Sequence, residues 1–128
     1  MSFGTAINCM DGRTQLPVNT YLRQRLHVDY VDTVTEPGPV RILAEEQDSE
    51  PTRSILRRID ISVGKHGSKC LAVVGHWDCA GNRAPQERQH EQLRSAVQFL
   101  SGRYPAVQVL GLWVDSDWTV SEVCSASG

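Results

Sequence analysis

Two short, widely separated stretches carry the residue types that can do chemistry. Cys9-Met10-Asp11-Gly12-Arg13 closes the first apolar run, and His76-Trp77-Asp78-Cys79 closes the most apolar run of the mid-chain, Leu71-Ala72-Val73-Val74-Gly75. Two thiolates and an imidazole (Cys9, Cys79 and His76) form a three-ligand zinc set. Three protein ligands leave one position of a tetrahedral ion open, as in catalytic rather than structural sites. Zinc acidifies a bound water, and two thiolates blunt that effect compared with imidazoles. A hydrogen-bonding partner for the hydroxide then helps. On an extended backbone Cys9, Asp11 and Arg13 project to one side. Arg13 can hold the Asp11 carboxylate in a two-pronged ion pair, which keeps it ionised and able to accept a hydrogen bond.

Other chemistries fit these residues less well. An arginine near a cysteine is one part of a thiolate phosphate cradle. That cradle also needs a longer, glycine-rich loop of backbone N–H groups, and Met10-Asp11-Gly12 is short and acidic. A Cys9–Cys79 disulfide is geometrically open but disfavoured in a reducing compartment. Either cysteine alone would read as an ordinary buried thiol.

The elements that must position these residues alternate. Phe3–Asn8 reads as a first strand and Asn19–His27 as a short helix. Tyr30–Thr35 is β-branched and alternating, hence a second strand, stopped by Glu36-Pro37-Gly38-Pro39. Val40–Glu46 reads as a short helix. Ser49 caps a longer one with Pro51 in its first turn and Ile55, Leu56, Ile59 and Val63 on its apolar face, ending at Gly64 or Gly67. Lys69–Gly75 is a buried strand. Pro85–Leu100 is a helix with Leu93, Val97 and Leu100 on one face, stopped by Gly102 and Pro105. Val107–Val114 is a last strand, and the tail from Asp115 shows no assignable element. This order predicts an α/β fold: a three-layer, doubly wound, mainly parallel four-stranded sheet of order 2-1-3-4 with helices on both faces. Strands 1 and 3 are then neighbours at the switch point, where ligands bind beyond the carboxyl ends of the strands. Cys9 ends strand 1, and His76 and Cys79 follow strand 3, so fold and ligand set converge on one crevice.

The 128 residues suit one domain spanning the chain, residues 1–128. With 13 Lys and Arg against 15 Asp and Glu, the net charge of −2 leaves no basic footprint for nucleic acid. No run approaches the ~18 apolar residues of a membrane span, and the start has no signal-peptide pattern. A cytoplasmic protein with reduced or metal-bound cysteines is expected. Cys70 reads as core and Cys124 as a surface thiol near the C-terminus. His27, His66 and His90, and the Arg83, Glu87, Arg88, Glu91, Arg94 series, read as solvated. Asp78 reads either as a partner for the second ring nitrogen of His76 or as a turn residue, and Trp77 as packing at the crevice mouth.

Cys-x-Asp-x-Arg followed a domain later by His-x-x-Cys resembles the β-class carbonic anhydrases. The matching residues are Cys9, Asp11, Arg13, His76 and Cys79, in Gly75-His76-Trp77-Asp78-Cys79-Ala80-Gly81. The resemblance implies Zn2+ on Cys9, His76 and Cys79, with Asp11 and Arg13 as the catalytic pair, and reversible hydration of carbon dioxide to bicarbonate. It implies that Asp11 either pairs with Arg13 or swings onto the metal. Family habit implies a homodimer or higher homo-oligomer. The chain departs from the family in three places. Only eight residues of the sequence precede Cys9, where the family usually has a helical arm. Thr35-Glu36-Pro37-Gly38 stands where Arg-Asn-Ala-Gly is usual, and Ala80 separates Cys79 from Gly81. The altered pocket segment admits two alternatives: a hydrolase of carbon disulfide or carbonyl sulfide, or a non-catalytic zinc-binding regulatory domain.

Overall fold

The computed structural model describes residues 1–127. Its elements run β1 (Phe3–Cys9), α1 (Gly12–Leu26), β2 (Tyr30–Glu36), α2 (Pro39–Glu45), α3 (Glu50–Lys65), β3 (Cys70–His76), α4 (Gln86–Arg103), β4 (Gln108–Val114) and β5 (Val120–Ala126). The strands form one sheet of order β2-β1-β3-β4-β5. The first four are parallel, with Phe3 opposite Tyr30, Ile7 opposite Val73 and His76 opposite Val114. The expected order 2-1-3-4 is therefore present. The fifth strand extends it, antiparallel to β4 with Val114 opposite Val120 and a register shift between Gly111 and Leu112.

Every residue of β3 is buried, as is β1 from Gly4 onward. A strand buried on both sides reads as a continuous apolar run, because helices must cover both faces. Alternate residues of β3 therefore enter different cores. Leu71 and Val73 join Leu43, Ile55, Ile59, Leu93, Val97 and Leu100 of α2, α3 and α4. Ala72 and Val74 join Val18 and Leu22 of α1, with Trp118 and Val120 of the β4–β5 hairpin packed alongside.

Two expectations are corrected. α1 begins seven residues earlier than its apolar spacing suggests, at Gly12 rather than Asn19. The helix tolerates Pro17 inside it at the loss of one hydrogen bond to the Arg13 carbonyl. Cys124 is not a free surface thiol: it lies on β5, half-buried against the α4-side core, where a Cβ on Gly111 would come within 2.6 Å of its sulfur. β5 escapes a sequence reading because Ser121, Glu122 and Ser125 dilute its apolar pattern, as an edge strand permits.

Ser49 caps α3 as expected, with its hydroxyl accepting from the Thr52 N–H at 3.4 Å. Ile59 on that helix is fully buried, whereas Ile61, two residues on, is 56% exposed. Ile59→Ala is expected to lower unfolding stability by about 2–5 kcal/mol, and Ile61→Ala to stay within about 0.5 kcal/mol of the parent. Urea denaturation of the two variants checks this.

Candidate metal centre

β1 and β3 end side by side, and the chain turns sharply after each. After Cys9, Asp11 caps α1: its Oδ1 accepts from the Arg13 N–H at 2.9 Å, satisfying a donor that a helix start leaves free. Gln15 ties the turn down, its Nε2 donating to the carbonyls of Cys9 at 2.7 Å and Asp11 at 3.1 Å. After His76, residues 79–82 form a turn, with the Asn82 N–H donating to the Cys79 carbonyl at 3.3 Å. Two glutamines of α4 hold that turn. Gln92 Oε1 accepts from Asn82 Nδ2 at 2.8 Å, and Gln89 Nε2 donates to the Asn82 carbonyl at 3.3 Å.

Cys9, His76 and Cys79 are all buried, and their ligand atoms lie within 4.8 Å of one another. The two sulfurs are 3.8 Å apart, the edge of a tetrahedron whose metal–sulfur bonds are about 2.3 Å. His76 Nδ1 donates to the Trp77 carbonyl at 2.6 Å. That bond fixes the tautomer and turns Nε2 toward acceptor duty. Nε2 is buried without a hydrogen-bond partner, an arrangement that costs free energy unless something electropositive meets it. The donor set, its spacing and this orphaned nitrogen all fit zinc.

The Cys9 thiol is held well below its ordinary range, chiefly by the hydrogen bond from Cys79 and further by His76 and the N–H groups of Gly38 and Asp11, against the opposing effect of burial. Cys79 is pushed up in turn by its bond to Cys9 and by burial. Burial works against a charged His76, but the nearby Cys9 sulfur and the bond to the Trp77 carbonyl outweigh it and raise the group. The pair thus holds one thiolate, on Cys9, with Cys79 as the thiol that donates to it.

Asp11 and Arg13 meet as the ion pair the spacing suggested, by a different route. The backbone is not extended between them, because Arg13 is already in the first turn of α1. Arg13 Nη2 donates to Asp11 Oδ2 at 2.7 Å and Nε donates to Oδ1 at 3.1 Å. This bond, opposed by desolvation, holds the Asp11 carboxyl at about 2. Asp78 does not hold His76. It accepts from Arg13 instead, at 3.2 Å from Nη1, because the backbone carbonyl of Trp77 already occupies Nδ1. Trp77 is 44% exposed at the rim. Of the residues read as solvated, His66 pairs with Asp32 at 2.6 Å, and the His90 ring meets the edge of Trp113.

The segment after β2 reveals a requirement the sequence reading missed. Gly38, at φ +63°, and Gly81 touch backbone to backbone: a Cβ on Gly81 would lie 2.4 Å from the Pro37 carbonyl carbon. Only glycines let these two loops approach. The contact places the Gly38 N–H at Cys9 and the Gly81 N–H at Cys79. Glycine at both positions was a visible signal, but its meaning needed the pairing.

A sequence model of the family described as "Putative carbonic anhydrase" matches residues 1–124, and the chain belongs to that family. No curated protein matches it. Among solved structures, the carbonic anhydrase of Streptococcus mutans superposes with a TM-score of 0.62 at 17% identity, over 94% of this chain and 80% of that one. One of two tetrameric β-carbonic anhydrases from the ascomycete Sordaria macrospora gives 0.64 at 12% identity, over 98% and 82%. A carbon disulfide hydrolase in its apo form gives 0.61 at 14% identity, over 91% and 76%. These likenesses establish a shared fold.

Two predictions follow from the geometry. Gly81→Ala must displace the Pro37 backbone. It is expected to cost about 1–3 kcal/mol of stability and to weaken any metal bound by the cluster about 10–100-fold, read by urea denaturation and by competition with a chromophoric chelator. Arg13→Gln is expected to return the Asp11 carboxyl from about 2 toward its ordinary 3.8, visible in its 13C carboxyl shift against pH. Because the folded value is depressed, the pair's stabilisation is complete above the ordinary carboxyl range and is lost as pH falls toward 2.

Proposed function

We propose that the protein is a zinc-dependent carbonic anhydrase that interconverts carbon dioxide and bicarbonate. The single observation carrying this reading is the buried Cys9–His76–Cys79 cluster, with its partnerless Nε2 and the Asp11–Arg13 pair beside it. Zinc held by these three residues would supply the Lewis acidity that makes a water nucleophilic near neutral pH. Asp11, ionised at that pH, accepts only hydrogen bonds. It can take one from the reacting water and point an oxygen lone pair at the substrate carbon. Arg13 keeps Asp11 ionised and fixes its orientation. The balance is water plus carbon dioxide giving bicarbonate and a proton, the proton leaving to solvent. A cavity of about 390 Å³, lined by Asp11, Arg13, Asp78, Cys79 and Asn82 among others, opens at this point.

Asp11 is engaged by Arg13 and is not among the residues clustered within 4.8 Å, which supports an open site over a purely structural zinc domain. The similarity to a carbon disulfide hydrolase keeps sulfur analogues of carbon dioxide as the second substrate class. The tetrameric Sordaria relative supports a homo-oligomer. No helix is long and apolar enough to cross a membrane among the described residues, consistent with a cytoplasmic enzyme.

Stopped-flow hydration of carbon dioxide by the zinc-loaded protein tests the proposal. Cys79→Ser is expected to lose more than the roughly 100-fold that removal of an outer partner can bring. Equal rates for the two proteins would sink the reading. Sulfide release from carbon disulfide without hydration of carbon dioxide would transfer it to the second substrate class.

A further inference from the structure

Arg13 has more partners than the carboxylate it was expected to hold. Nη1 donates to Asp78 Oδ2 at 3.2 Å, and Nη2 donates to the Asp78 backbone carbonyl at 3.3 Å. The guanidinium carbon lies 4.7 Å from the centroid of the Trp118 ring. One edge of the planar group is thus taken by Asp11, another by Asp78, and its face by an aromatic ring, an arrangement suited to arginine and not to lysine.

Both added partners are held in unusual backbone. Asp78 has φ +54° and Trp118 φ +62°. An aspartate visits this region at small cost, but a bulky aromatic does so rarely. The β4–β5 turn enforces it: the Trp118 N–H donates to the Asp115 carbonyl at 2.9 Å, and Asp115 Oδ1 accepts from Asp117 and Thr119 at 2.9 and 3.0 Å. Trp118 also packs against the α1-side core. The hairpin therefore presents a rigid surface under the guanidinium.

Arg13 needs such a support. Its side chain is 48% exposed, and a long half-exposed arginine held by one carboxylate pays side-chain entropy for a solvent-screened pair. If Arg13 swung into solvent, Asp11, two residues from Cys9, would be left as an unpaired anion beside a divalent cation. We propose that Asp78 and Trp118 are positioning residues that clamp Arg13 and, through it, keep Asp11 off the metal so that the fourth coordination position stays open. This inference rests on the zinc reading above.

Cobalt-substituted protein tests it through anion binding. Thiocyanate is the probe, because it needs the open position and its binding shifts the visible cobalt bands. The parent is expected to bind it. Trp118→Leu and Asp78→Asn are expected to bind it at least tenfold more weakly, while Trp118→Tyr, which keeps an aromatic face, stays close to the parent. Adding Asp11→Asn to either weakened variant is expected to restore binding, which damage to the fold would not allow. Asp78→Asn keeps a residue tolerant of left-handed backbone, so it reports even where Trp118→Leu fails to fold. Parent-like thiocyanate affinity in Asp78→Asn and in folded Trp118→Leu overturns the clamp and leaves the zinc reading standing. A parent that shows no thiolate-to-cobalt charge-transfer band overturns the zinc reading and the clamp with it.

Discussion

The site depends on one pairing, that of β1 with β3. Thr5 lies opposite Leu71 and Ile7 opposite Val73, so two strands far apart in sequence leave the sheet together. Parallel neighbours in the middle of a sheet must be covered on both faces, and the chain supplies that cover by sending α1 to one face and α2, α3 and α4 to the other. α1 can start only where β1 stops. The residues bridging the two are Cys9 to Arg13, so a candidate ligand, a helix cap and a first-turn arginine fall within five positions. The chemistry is compressed there because the topology turns there.

Around that pairing the loops are held from outside. Gln89 and Gln92 of α4 fasten the turn after Cys79, and Gln92 also reaches Glu45 of α2 at 3.2 Å. The backbone contact of Gly38 with Gly81 joins the end of β2 to the same turn. N–H groups from both loops thus reach the two sulfurs, which lets a nearly dry site hold thiolate charge. Loops set this way are rigid from packing rather than from the ion.

Much of this was legible in the residues. The run Leu71 to Gly75 and the alternating Tyr30 to Thr35 announce a buried strand and an edge strand, and Ser49 with Pro51 marks the start of α3 to the residue. That Cys9, His76 and Cys79 come together follows from residue type and strand-end position. What stayed hidden depends on partners distant in sequence. β5 owes its existence to β4 and carries too many polar residues to stand out. The role of Asp78 turns on which acceptor reaches His76 first, and a backbone carbonyl wins. Trp118 sits in a turn that no local pattern connects with Arg13. The departure at Thr35 to Gly38 looked like a changed pocket. Its one indispensable member proves to be Gly38, for reasons of contact with a loop that comes more than forty positions later.

The two sulfurs 3.8 Å apart belong to residues 70 positions apart in the chain. In the unfolded chain the three donors are not held together, so an ion bound by all three favours the folded state. Its binding free energy is then added to the stability of the whole sheet and grows with free metal concentration. Such an ion acts as a reversible cross-link that closes a loop of more than half the protein. Loss of an ion held there would therefore lower the stability of the whole sheet, not only of the loops that carry the donors.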